Sequence, residues 1–409
     1  MRTMKRVAAV ALSVVVLMTS GVSAKAAVTD VQPAKSSSEA VLKWAKKVGE
    51  PFDEKTYANN TVSKIKLVGN YLYVADDAKH RIMKIDKKDG TILKEQKYCD
   101  ESYIQGYVSS IGYGDGKVYV GYDNGRVQAF DENTLESLWI TDENKNAINA
   151  DFVFTNGKLY FGTTAKTTDW YDNGAPFSYY VVTTSDDDKT KPDEEKTMKK
   201  VVESKTGKFY SKKGVVLGKY IVISDTAGTL TMIDTTNDKV TDTKDIGEAF
   251  SGNITYDEMT GTIYFVAGTN DLYGIKVSAD GKLKDEKKVR LYETGYSATT
   301  PEVYNGKVYV SGSKGKAFQD KGYMAVADVS SDKYKVNYTV ELSNYSQCEP
   351  TIVKTGENSV RVYFTINDEP GGIYAIEDSK DATSATLETV YEPTGDIKNT
   401  GCMSDVVVD

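Results

Sequence analysis

The chain has 409 residues, with 51 Lys and Arg against 59 Asp and Glu, a formal net charge of −8, one His and three Cys. An acidic chain gains nothing from counterion release, so no nucleic-acid partner is expected. The three cysteines, Cys99, Cys348 and Cys402, are too far apart for a zinc site, a redox motif or a haem attachment site.

The N-terminus reads as an export signal over residues 1–24. Arg2, Lys5 and Arg6 precede an apolar run over 7–18, and Val22-Ser23-Ala24 and Ala24-Lys25-Ala26 offer small-residue cleavage sites. The run is short for a bilayer span, no later stretch is long and apolar enough to be one, and no Cys follows it to accept a lipid. Cleavage would remove three basic residues and leave the chain more acidic. A secreted protein of Gram-positive type, without a membrane span, is expected. Residues 25–38, with three consecutive serines, read as a linker, and 39–409 as the folded unit.

From residue 69 onward one phrase recurs: a turn glycine, an aromatic strand, a gap, and a second strand closing on Asp. It stands as Gly69-Asn70-Tyr71-Leu72-Tyr73, Gly116-Lys117-Val118-Tyr119, Gly157-Lys158-Leu159-Tyr160 and Gly218-Lys219-Tyr220. It continues as Gly261-Thr262-Ile263-Tyr264, Gly306-Lys307-Val308-Tyr309 and, without the glycine, Val360-Arg361-Val362-Tyr363. Repetition of short strands every 40–60 residues or so means stacked identical units. In the second unit, residues 107–113, 117–122, 126–130 and 135–140 read as four strands, alternating apolar and polar and separated by Gly, Asn and Asp. Four-stranded units without intervening helices predict an all-β propeller.

The third unit carries an insertion over 164–213, with an aromatic stretch (Trp170, Tyr171, Phe177) and a charged loop from Ser185 to Glu195 that reads as a solvated excursion. Inner strands are expected to begin near Thr61, Tyr103, Asn146, Ser211, Ser251, Tyr296, Tyr345 and Asn399. The eighth, over 401–408, has no hairpin after it, and residues 41–44 resemble an outer strand without a unit. Seven full blades plus an incomplete eighth assembled from both termini are therefore expected, an arrangement that hides sheet edges, the alternative being that the last inner strand simply caps a seven-bladed ring. Cys348 and Cys402 occupy similar places in consecutive repeats; a bridge between them and free thiols are both open readings.

The segment Ala129-Phe130-Asp131-Glu132-Asn133-Thr134-Leu135-Glu136-Ser137-Leu138-Trp139 resembles the repeat of pyrroloquinoline-quinone-type, quinoprotein dehydrogenase-like propellers, Ala-x-Asp-x-x-Thr-Gly-x-x-x-Trp. Lys84-Ile85-Asp86 with Asp89-Gly90 keeps part of the pattern, as does Met232-Ile233-Asp234, and Trp44 falls where a docking Trp would end an outer strand. The resemblance implies a propeller of about eight blades with tryptophans wedged between them. The phrases Leu135 to Trp139, Pro370-Gly371-Gly372-Ile373-Tyr374 and Cys402-Met403-Ser404 are similar to those of secreted propellers of clostridial bacteria. The quinone enzymes of the family carry vicinal cysteines, a stacking Trp and Glu/Asn/Asp ligands for calcium. This chain has no adjacent cysteines, and two of its three tryptophans, Trp44 and Trp139, sit at docking positions, so neither quinone nor any other cofactor is expected.

His80, the only His, lies in a turn beside Lys79 and Arg81 and reads as a surface residue, which removes any triad chemistry. No nucleophile elbow or phosphate loop is present. Tyr103, Gln105, Tyr107, Tyr296, Tyr345 and Gln347 stand before inner strands, where loops gather at one mouth of a propeller axis. Tyr and Gln together offer an apolar face and fixed hydrogen bonds, as a sugar or peptide site requires; packing between blades is the competing role for these tyrosines. The strand tyrosines repeated in every unit belong to the fold. The reading that follows is a secreted, non-catalytic propeller that binds an extracellular glycan or protein. The alternative is a diverged quinoprotein-like oxidoreductase or a carboxylate-based glycan-active enzyme.

Overall fold

The computed structural model describes residues 40–46, 48, 62–98, 110–149, 151–166, 175–187, 195–209, 213–249, 252–295, 299–315, 321–367, 372–394 and 405–408. Seven antiparallel sheets follow one another along the chain, each a meander of four neighbouring strands. The second blade, for example, consists of Gly112–Gly114, Lys117–Gly121, Val127–Asp131 and Ser137–Thr141. Inner strands are short, from Lys66–Val68 to Thr351–Lys354, and begin several residues later than the sequence predicts. Among the described residues the one helix is a single turn, Asp77–Lys79.

The tight turn between first and second strands explains the repeated glycine. Asp115-Gly116, Asn156-Gly157 and Asn305-Gly306 place both residues at positive φ, between 51° and 78°. That is the type I′ geometry whose twist matches the strands it joins, and Asn/Asp-Gly adopts it at least cost. The repeated Asp has an equally local cause. Its carboxylate accepts backbone N–H groups of the turn it opens: Asp131 from Asn133 and Thr134, Asp234 from Thr236, Asp328 from Ser330. These are Asx turns, which fix the start of the last hairpin in those blades. All seven blades also carry a register shift between third and outer strands, which adds twist.

The core lies between blades. Six apolar clusters join blades one to two, two to three, and so on to six and seven, with Tyr309, Met324, Val362 and Phe364 in the last. Neighbours cover both faces of a blade, so second strands are buried along their length, as in Thr262–Ala267 and Lys307–Ser313. The expected alternation survives on outer strands such as Lys335–Leu342, whose outward face meets solvent. The recurring Lys-x-Tyr of the second strand reaches into the next blade. Lys158 and Tyr160 both bind Asp238, and Lys307 and Tyr309 both bind Asp378. Lys117 stands 3.6 Å from Asp186 in the same relation. The strand tyrosines are thus fold residues, each burying an aromatic ring while its hydroxyl finds a partner.

The termini meet where the ring closes. Val406 and Val408 pack on Val353 and Tyr363 of the seventh blade, and Trp44 and Val48 on Val74, Met83 and Ile85 of the first. Lys64 and Asp405 form an ion pair at 3.5 Å across the seam. Two expectations need correction here. Residues 41–44 form no strand, and neither do 405–408, so among the described residues the eighth sector has no sheet. Trp44 does dock, donating from Nε1 to the Lys87 carbonyl at 2.9 Å, over Gly90, where a Cβ would stand 2.6 Å from the indole. With φ at +72° as well, that glycine is required twice over.

The third-blade insertion is more than an excursion. Glu195–Lys196 pairs in parallel with the outer strand of the second blade as a fifth strand. Lys196 is buried, with its ammonium 4.8 Å from the Trp139 ring centroid and donating to the Thr183 carbonyl. Cys348 is a buried free thiol whose sulfur accepts from the Thr365 N–H, so it forms no bridge; Cys99 and Cys402 lie outside the described residues. His80 is half-buried at φ 46°, edge-on to Tyr98.

Candidate functional site

Each inner strand has a rung facing its repeat tyrosine or that tyrosine's equivalent: Lys66 against Tyr73, Val153 against Tyr160, Val215 against Val222, Thr351 against Tyr363. Two residues before that rung, the seven blades present Lys64, Ser110, Asp151, Lys213, Asn253, Thr300 and Glu349. Equivalent positions of a propeller face its axis together, so residues nearly 300 positions apart act on one another. Lys64 lies in the field of Asp405, Asp151 and Glu349, and Lys213 in that of Glu349 and Asp151. Protein surrounds them, yet Lys64 keeps 33% of its side chain and Asp405 26% open to solvent. Partly exposed groups at positions that a propeller turns toward its axis border its central channel.

The electrostatics of this wall are specific. Burial raises the Asp151 carboxyl above the ordinary carboxylate range, because the attraction of Lys64 and Lys213 only partly offsets lost hydration. Burial works on Glu349 in the same sense, but Lys213, a hydrogen bond from Glu302 and Lys64 together outweigh it and pull its pKa down. Lys213 is held protonated chiefly by Glu349. Lys64 loses hydration too, and Asp405, Asp151 and Glu349 more than restore its charge. Lys66 is pushed down by burial and by Lys213. Asp405 accepts from the Glu349 N–H at 2.7 Å, tying the C-terminal segment to the ring.

The residues singled out in sequence are distributed differently. Tyr103, Gln105, Tyr107 and Tyr296 lie outside the described residues. Tyr345 is buried, 7% exposed, and its hydroxyl accepts from Asn367 Nδ2 while its carbonyl accepts the Asn367 N–H. The structure therefore gives Tyr345 a packing position. Gln347 is half-buried two residues before Glu349. The charged ring was missed because single Lys, Asp and Glu residues carry no motif. No fixed offset from the tyrosine would have found it: Lys64 and Asp151 stand nine before Tyr73 and Tyr160, but Glu349 stands fourteen before Tyr363.

No family model and no curated protein matches the chain. Solved structures do match in fold. BamB from Moraxella catarrhalis aligns at 12% identity and a TM-score of 0.54, covering 81% of this chain and 88% of that one. Quinohemoprotein alcohol dehydrogenase from Comamonas testosteroni aligns at 12% and 0.56, covering 85% and 68%. The class is thereby defined: a β-propeller. At this identity the likeness shows the fold alone.

The described channel residues do not fit the quinone cofactor of the quinoprotein-like propellers. Trp139 is fully buried against Tyr119 and Lys196, and Trp44 lies on the first blade, so neither can stack on a ring in the channel. Among the described residues no cluster of acidic, His or Cys side chains has the arrangement of a metal site. The channel carboxylates face lysines and one another.

Proposed function

We propose that this protein is a secreted, non-catalytic propeller that binds an extracellular glycan or protein at the channel mouth ringed by the loops before the inner strands. The carrying observation is the ring of compensated charges around Lys64, Asp151, Lys213 and Glu349. Such a ring gives a polar, rigid floor built from several blades, and rigidity across blades reduces the ordering cost of binding. Co-sedimentation of the purified chain with cell walls and insoluble glycans tests this, beside a Tyr103→Ala, Tyr296→Ala variant. Sedimentation lost in the variant supports binding at the mouth. Sedimentation that persists unchanged in the variant removes the mouth from the reading.

A second reading, a carboxylate-based glycan-active enzyme, is favoured by one feature. Asp151 and Glu349 share a channel while their environments drive their affinities for protons apart, the pattern of an acid and a base. Release of reducing ends from the same glycans, abolished by Asp151→Asn without a change in melting temperature, would move the assignment to this enzyme.

A further inference from the structure

We propose a second site, between the sixth and seventh blades, that takes a neutral saccharide. A cleft of about 340 Å³ opens there, within the ~300–1,000 Å³ range of small-molecule sites. It is lined by the turns joining first to second and third to fourth strands of both blades. Antiparallel strands alternate their ends, so this is the face opposite the loops that enter the inner strands. The site is thus separate from the channel mouth.

The cleft's floor is closed by a fully committed network. Lys307 donates to both Asp378 oxygens at 3.1 and 2.9 Å and to the Ser379 carbonyl at 2.6 Å. The same carboxylate accepts from Tyr309 at 2.7 Å and Tyr338 at 2.5 Å. At the rim Lys335 pairs with Asp328 at 3.3 Å. These charges answer one another within the protein, so a charged ligand finds no counter-ion among them.

Lys380 and Asp381 add one charge of each sign, so the lining carries three Lys and three Asp and has no net charge; its other polar groups are neutral. The side-chain amides of Asn305, Asn337 and Asn358 make no hydrogen bond to another described residue, and half-buried Tyr304, packed on the interblade core, borders the cleft beside them. Each amide offers donors and an acceptor together, the complement of a hydroxyl that does both. Three such amides beside one aromatic ring match a sugar, whose polar rim and apolar ring faces need both kinds of partner.

Saturation-transfer NMR of the purified chain with glucose, N-acetylglucosamine, maltose and cellobiose tests the site, with glucuronate and glucosamine as charged probes. At least one neutral sugar is expected to receive saturation. Asn337→Ala with Asn358→Ala should weaken it about tenfold or more, the effect of losing one or two hydrogen bonds. Since those amides bond to no other described residue, the melting temperature should stay unchanged. The Tyr103→Ala, Tyr296→Ala variant should bind like the parent. The proposal is overturned by absence of transfer to every neutral sugar, by unchanged affinity in the asparagine variant, by preference for a charged probe, or by loss in the mouth variant.

Discussion

Lys307 and Asp378 show how a single repeated residue type holds two blades together. The Lys side chain is 9% exposed and the Asp 1%, and Tyr309 and Tyr338 saturate the remaining carboxylate lone pairs. A buried pair is worth little against apolar replacements, but removal of one partner strands the other charge. Lys307→Met or Asp378→Asn alone should therefore cost about 3–5 kcal/mol in chemical denaturation. The double variant should recover a large part of that, and an additive loss would contradict the interpretation. The Lys in Gly-Lys-x-Tyr was legible as a repeat, but not as a latch, because its acidic partner comes from the following blade at no fixed spacing: 80 residues on for Lys158 and 71 for Lys307.

At the scale of the element, the Asp-opened turns give the blades a defined acid response. Asp234 is pulled from 3.8 to about 2, first by the Lys219 ammonium and then by the Thr236 hydroxyl. Asp131 is lowered mainly by the Thr134 N–H. A carboxyl whose folded pKa is depressed stabilises the fold fully above its unfolded value and loses that contribution as pH falls through the folded one. Through these turn carboxylates, unfolding free energy should consequently fall as the pH drops from about 4 to 2. In Asp234→Asn that acid limb should flatten, while a limb of parental steepness would show that the turn carboxylate is not responsible. The fifth strand of the second blade, Glu195–Lys196, was hidden in a stretch whose charge reads as solvent-facing. Lys196 is buried because Trp139 and three oxygens, two from Thr183 and one from Ser185, receive its ammonium, a set of partners assembled only in three dimensions.

For the whole molecule, stability depends on the seam. Deleting residues 405–409 removes Val406 and Val408 from Val353 and Tyr363 and leaves Lys64 without Asp405. A loss of about 2 kcal/mol is expected from the uncovered apolar surface, with an exposed inner strand that invites association. Thermal unfolding with light scattering measures both. An unchanged midpoint without scattering would mean that the seam contributes nothing.

The sequence by itself determined the repeat, the strand tyrosines, the turn glycines, the opening Asp and the docking tryptophans. All of these answer to local physics or recur at a fixed period: a positive φ, an Asx turn, an aromatic ring needing cover on both sides. The tertiary structure alone decided which charges meet. Lys64, Asp151, Lys213, Glu349 and Asp405 stand far apart in the chain and share a channel only because the blades close into a ring. Asn305, Asn337 and Asn358 likewise become one wall only when two blades pack. Electrostatic and hydrogen-bond partners depend on distance in space, and no periodicity along the chain encodes that distance.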